Sequence, residues 1–268
     1  MTLSDAGQQR RRWLLAAGPA MTGLAFFPRL LAASLPDTID RVRPSIVAVG
    51  TYQRTRNPSF RFSGTGFVVG NGLRIATNAH VVPEQIATDK LETLAIAVPE
   101  GDSGKLSVRP ATLLAMQKER DLAVLGIQGA TLPPLPLGLE ARVPVREGQD
   151  IAFTGFPIGN ALGFFPVTHR GIIASITPIG IPQGQARQLD PALIRRLADD
   201  PFRVYQLDAT AYPGNSGSPV YDPDSGLVIG VINMVFVKST KENVLSDPSG
   251  ISYAIPVRYL AQMLEGLK

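Results

Sequence analysis

Three short stretches hold residue types that together can move a proton and form a covalent bond. Thr77-Asn78-Ala79-His80-Val81-Val82 carries one of only 2 histidines in 268 residues. Arg120-Asp121-Leu122-Ala123-Val124-Leu125 opens with a carboxylate, and Gly214-Asn215-Ser216-Gly217-Ser218-Pro219 sets a serine among glycines. A serine hydroxyl is a poor nucleophile at neutral pH and needs a base with a pKa near neutrality, which an imidazole supplies. A carboxylate at the mouth of an apolar strand can hold the other ring N–H and fix the tautomer. Glycine permits a sharp turn that exposes Oγ and gathers backbone N–H groups. In the segment Gly214, Asn215, Ser216, the N–H groups of Gly214 and Ser216 are the candidate donors to a developing oxyanion.

Each feature alone has an ordinary reading. Gly-Asn-Ser-Gly also makes a plain turn, Asp121 a solvated strand end beside Glu119 and Arg120, and a lone histidine is usually packed or on the surface. The second histidine, His169, stands in Val167-Thr168-His169-Arg170-Gly171 without comparable company and reads as structural or surface. Neither histidine has a partner at metal-ligand spacing, so no metal and no cofactor is expected. Without cysteine, disulfides, thiolate zinc sites and cysteine nucleophiles are excluded.

To bring residues so far apart in sequence together, the chain needs a scaffold of short strands. Strands are predicted at Ser45–Tyr52, Arg61–Val69, Leu73–Thr77, Leu94–Val98, Leu106–Leu114 and Leu122–Ile127, with Gly70-Asn71-Gly72 as a hairpin turn. A proline-rich connection, Leu132-Pro133-Pro134-Leu135-Pro136, follows. The second half repeats the style at Asp150–Gly155, Pro166–Ile176, Val204–Asp208, Pro219–Tyr221, Leu227–Val237 and Ile251–Ile255. Leu35–Arg43 and an amphipathic Val257–Leu267 read as helices, and Pro191–Asp199 as a helical turn inside a long connection. The pattern predicts an all-β fold of two antiparallel six-stranded barrels with a C-terminal helix, residues 35–130 and 145–268.

Composition narrows the partners. The formal net charge is +4, but the leader holds Arg10, Arg11, Arg12 and Arg29 against Asp5, and this excess of three leaves about +1 for the rest. No basic patch argues for nucleic acid. Residues 1–34 resemble a twin-arginine export signal: Gln9-Arg10-Arg11-Arg12-Trp13-Leu14-Leu15, a modest apolar run, then Ala32-Ala33-Ser34 where a signal peptidase could cut. The run is broken by Pro19, Pro28 and Arg29 and is short for a membrane span. An exported protein, in a bacterial periplasm, is expected to meet the membrane only in transit or through an uncleaved leader.

The three stretches resemble the trypsin-like serine peptidases, most closely the HtrA/Deg branch. Further matches are Gly64-Thr65-Gly66-Phe67, Phe156-Pro157-Ile158-Gly159, Gly171-Ile172-Ile173-Ala174, Gln206-Leu207-Asp208-Ala209 and Tyr253-Ala254-Ile255-Pro256. The resemblance covers roughly residues 36–262. It implies a serine endopeptidase acting on polypeptide, with His80 as general base and then acid, Asp121 as its orienting partner and Ser216 as nucleophile. It also implies a specificity pocket lined near Thr210, Ala211, Tyr212, Ile232, Asn233, Met234 and Val235. Thr210 stands where trypsin itself has an acid, so an apolar residue before the scissile bond is expected. Relatives are often oligomers, so a homo-oligomer is possible. Ser218 departs from the second glycine usual in the branch, the PDZ domains common there are not expected, and the Pro178–Arg203 connection is a candidate regulatory or substrate-contacting loop. Two other readings remain open: a catalytically silent binding or chaperone module of the same shape, and a hydrolase of small esters.

Overall fold

Twelve strands close into two six-stranded antiparallel barrels in a computed structural model that describes residues 34–101, 105–138, 144–159, 163–178, 202–233 and 251–267. The first barrel comprises β1 (Ile46–Tyr52), β2 (Phe60–Val69), β3 (Arg74–Thr77), β4 (Thr93–Pro99), β5 (Leu106–Gln117) and β6 (Leu122–Ile127). The second comprises β7 (Asp150–Gly155), β8 (Val167–Pro178), β9 (Arg203–Asp208), β10 (Pro219–Tyr221), β11 (Val228–Asn233) and β12 (Ile251–Pro256). The order around the first is β1-β2-β3-β6-β5-β4, and around the second β7-β8-β9-β12-β11-β10. The second order is the first shifted by six strands, a duplication that no repeated residue pattern announces. Closure pairs every strand on both sides, which removes sheet edges open to another chain.

Apolar runs supply the walls because several strands are covered on both faces. Along β1, Val47 and Val49 point into the first barrel, while Ile46 and Ala48 join a cluster shared with the second. Along β6, Ala123 and Leu125 point inward, and Leu122 and Val124 join the shared cluster. Along β7, Ile151 and Phe153 fill the second barrel, and Ala152 faces the shared cluster. This alternation of two is the strand period. Burying each large aliphatic or aromatic side chain contributes about 1.5–3 kcal/mol.

The proline-rich connection ties the barrels together. Leu132 and Leu135 donate backbone hydrogen bonds to Gly72 and Val68 of the first barrel, and Pro136 accepts one from Val228 of the second. The terminal helices cross over as well. Helix α1 (Leu35–Val42) precedes the first barrel, yet its Thr38 hydroxyl donates to the Asp224 carbonyl in the β10–β11 turn. Helix α2 (Val257–Glu265) follows the second barrel, yet its Tyr259 ring lies 4.3 Å beneath the Arg120 guanidinium, next to Asp121.

Most element boundaries match the sequence reading. Strand β5 runs three residues beyond the expected Leu114 because a bulge between Leu113 and Ala115 lets pairing with β6 resume. The expected strand Leu227–Val237 is described as far as Asn233. Its last residues, the Pro191–Asp199 turn, most of the Pro178–Arg203 connection and the leader lie outside the described residues.

Candidate active site

His80 sits in a one-turn 3-10 helix, Ala79–Val81, directly after β3, and Asp121 stands at the entrance of β6. Strands β3 and β6 are paired, Thr77 opposite Ala123, so the ladder brings the two residues to the same barrel end. Asp121 adopts a left-handed φ of 51°, which aspartate tolerates better than most residues, after a turn closed by its N–H on the Lys118 carbonyl. That bend aims the carboxylate at His80. Oδ1 accepts the His80 backbone N–H at 2.8 Å, and Oδ2 lies 2.6 Å from Nδ1. A carboxylate has no proton to give, so in the neutral imidazole this contact puts the hydrogen on Nδ1 and the lone pair on Nε2.

Two amides complete the support of Asp121. Asn78 donates its side-chain N–H to the Asp121 carbonyl at 3.0 Å, and Asn233, at the end of β11, donates to Oδ2 at 2.8 Å. The second bond crosses from one barrel to the other. The family resemblance implies a substrate wall for Asn233; its side chain is fully buried, with its amide on the carboxylate.

Ser216 reaches this site through glycine-sized gaps. A Cβ added at Gly64 would come within 2.6 Å of the Val81 side chain and 3.1 Å of the Ser216 carbonyl oxygen. The turn carrying His80 and the peptide of Ser216 are therefore separated by little more than a glycine. The next residue, Thr65, donates its N–H to the Ser216 carbonyl at 2.9 Å. Its hydroxyl donates to the Gly214 carbonyl at 2.7 Å and accepts the Phe156 N–H at 3.0 Å. Thr77 in turn donates its hydroxyl to the Thr65 carbonyl at 2.7 Å. The Gly-Thr-Gly strand of the first barrel is thus the splint for the serine turn of the second.

The turn has a defined geometry. The Asn215 N–H donates to the Tyr212 carbonyl at 2.9 Å, closing a four-residue turn with Pro213 and Gly214 at its centre. Proline fixes its own φ, and Gly214 has φ 100°, which makes this a type II turn. The Pro213 carbonyl accepts the Ile158 N–H at 2.7 Å. In a trans peptide the N–H points opposite the carbonyl, so Gly214 turns its N–H away from the Phe156–Ile158 loop. Among the described residues, neither the Gly214 N–H nor the Ser216 N–H has an acceptor. Such a pair can hold negative charge developing on a carbonyl oxygen. The Asn215 N–H is taken by Tyr212, so of the segment Gly214, Asn215, Ser216 only the outer two remain free to donate.

Other expected residues are placed as follows. Ala211 is buried and its N–H donates to the Ser252 hydroxyl at 3.0 Å. Ile232 is fully buried in the second barrel, and its backbone braces the serine turn, accepting from Gly217 and donating to Ser218. Thr210 and Tyr212 are half-buried, and Met234 and Val235 lie outside the described residues. Ser218 is accommodated by Gly155, where any Cβ would collide with its hydroxyl. His169 stacks on Phe153 with centroids 4.8 Å apart, and its ring lies 5.9 Å from that of Tyr212. Burial holds its pKa below the ordinary histidine value, so it is neutral at neutral pH. The support given by Asn233, Thr65, Thr77 and Ile158 went unforeseen. The Thr-Asn-x-His and Gly-Thr-Gly motifs flagged two of these residues without revealing their partners.

Comparison with known proteins identifies the family. The chain matches the model of the trypsin-like peptidase domain over residues 64–231. It is similar to the human protein named serine protease HTRA3, 30% identical over 243 residues, covering 88% of this chain and 46% of that protein. It is also similar to the chloroplastic Protease Do-like 1 of Arabidopsis thaliana, 29% identical over 271 residues, covering 95% of this chain and 53% of the relative. The chain thus spans about half the length of these relatives. A crystal structure of the serine endoprotease from Yersinia pestis shares the fold with a TM-score of 0.58 at 23% identity, covering 88% of this chain and 66% of that one. With the family model spanning more than half its length and both barrels in place, the chain belongs to the trypsin-like peptidases.

Proposed function

We propose that this chain is a serine endopeptidase that cleaves polypeptides through an acyl-enzyme. The observation that carries the reading is the Asp121–His80 pair at 2.6 Å, on a turn whose next residue, Val81, is separated from the Ser216 peptide by little more than Gly64. In the first half-reaction His80 Nε2 takes the proton of Ser216 Oγ as it bonds to the substrate carbonyl carbon. The Gly214 and Ser216 N–H groups take up the charge on the carbonyl oxygen. Collapse of the tetrahedral intermediate breaks the C–N bond, and His80 hands its proton to the departing amine. Water, deprotonated by the same nitrogen, then frees Ser216. The free N–H pair favours this reading over that of a silent module.

The residue before the scissile bond is apolar in this reading. The wall from Thr210 to Tyr212 carries no acid, and His169 behind Tyr212 is neutral. The twin-arginine-like leader supports export, with the periplasm as the compartment and unfolded or damaged protein as the substrate class. Labelling with a peptidyl phosphonate tests the chemistry: one adduct per chain, mapped to Ser216 and absent in Ser216→Ala, is expected. A peptide library dominated by basic residues before the cleavage site would contradict the pocket assignment.

A further inference from the structure

The two flanks of His80 differ in charge. On the Asp121 side a cavity of about 550 Å³ is lined by Leu113, Met116 and Lys118 among others, and Lys118 is paired with Glu84 at 3.0 Å. That flank is largely apolar: its lysine is paired, and its other carboxylate, Asp121, is held by His80 and Asn233. On the β2 side a second cavity of about 250 Å³ is lined by His80, Arg61, Ser63, Gln85, Thr51 and Glu92. Here the charges do not cancel. The Glu92 carboxylate is fully engaged, accepting from the Thr51 hydroxyl, the Ala87 N–H and the Arg56 guanidinium. Arg61 is exposed and has no acceptor among the described residues. Ser63, two residues on along β2, is exposed as well and lines the same cavity. Gly64 beside them abuts the Ser216 peptide.

Resting on the peptidase reading, we propose that Arg61 selects an acidic side chain within the first three residues on the leaving-group side of the scissile bond. The peptidase reading sets the direction of the substrate. In it the acyl portion lies along Thr210–Tyr212 and runs toward the end of β11, where Asn233 meets Asp121 on the far flank of His80. The departing segment therefore crosses the opposite flank, past Ser63 and Arg61. Its amine must pass within reach of His80 Nε2 to receive a proton, so the first residues beyond it enter the smaller cavity. A guanidinium borne by a residue lining that cavity, with no acceptor among the described residues, attracts a carboxylate and repels an ammonium.

The test is a set of fluorogenic peptides sharing one apolar acyl half, with Asp, Asn or Lys at each of the first three leaving-side positions. The wild-type chain is expected to cleave the best Asp peptide about fivefold or more faster in kcat/KM than its Lys counterpart at low salt. The ratio should shrink as ionic strength rises. Arg61→Gln should bring the ratio near one, and Arg61→Glu should invert it. A ratio indifferent to charge in the wild type, or unmoved by Arg61→Glu, overturns the proposal. So does failure to cleave any of these peptides while Ser216 still takes the phosphonate. Loss of the phosphonate adduct would instead overturn the peptidase reading itself, and this proposal with it.

Discussion

His80 and Ser216 act, in this account, as parts of one machine, and their substitutions should not add. His80→Ala and Ser216→Ala are each expected to lower kcat/KM by about 10⁴–10⁶-fold, with the double variant little worse than either. Steady-state kinetics on one peptide checks this, and near-additive losses would argue against a shared mechanism. Gly214 offers a finer probe. An alanine there would drive Cβ into the Phe156 carbonyl and strain a φ of 100°. The turn should lose its type II form and one donor to the oxyanion. Gly214→Ala is therefore expected to lower kcat by about 10²–10³-fold with little change in KM. The residues proposed to do the chemistry stand out in the sequence because each lies in a stretch suited to its task. The residues that brace them do not. Asn233 touches Asp121 only because β11 ends at the barrel junction, and no pattern announces that the Ile158 N–H holds a turn more than fifty residues away.

The elements were legible where apolar runs and turn residues coincide. Strands β1, β6 and β7 are continuous apolar stretches because both their faces are covered, and Gly70-Asn71-Gly72 marks the hairpin between β2 and β3. The end of β5 was not legible, since a bulge leaves Leu113 and Leu114 exposed and breaks the alternation. Glu92 shows how a connection is fixed without apolar burial. Bonds from Thr51, then from the Ala87 N–H and Arg56, hold its pKa down to about 2 and tie the approach to β4 onto the β1–β2 hairpin. A carboxyl whose pKa is lower in the folded state stabilises above its unfolded value, and that contribution fades as pH falls through the folded value. The gap in melting temperature between the wild type and Glu92→Gln should be fully open above pH 5 and close between pH 4.5 and about 2. A gap independent of pH would contradict the ionised network.

At the scale of the molecule, the site belongs to neither barrel alone. The first supplies His80, Asp121 and the Gly64–Thr65 splint, and the second supplies Ser216, its turn and Asn233. The proline-rich connection and the crossing helices hold the halves in register. The sequence displayed two sets of six strands but not their common winding, because barrel order depends on which strands pair across long separations. In the proposed peptidase both halves together form one acylating centre. The most direct measurement is the pre-steady-state burst with a chromogenic ester of an apolar acyl peptide. A burst of one product equivalent per chain, absent in both His80→Ala and Ser216→Ala, is the predicted result; a burst that survives in Ser216→Ala, or turnover of the wild type without an acyl-enzyme, would contradict it.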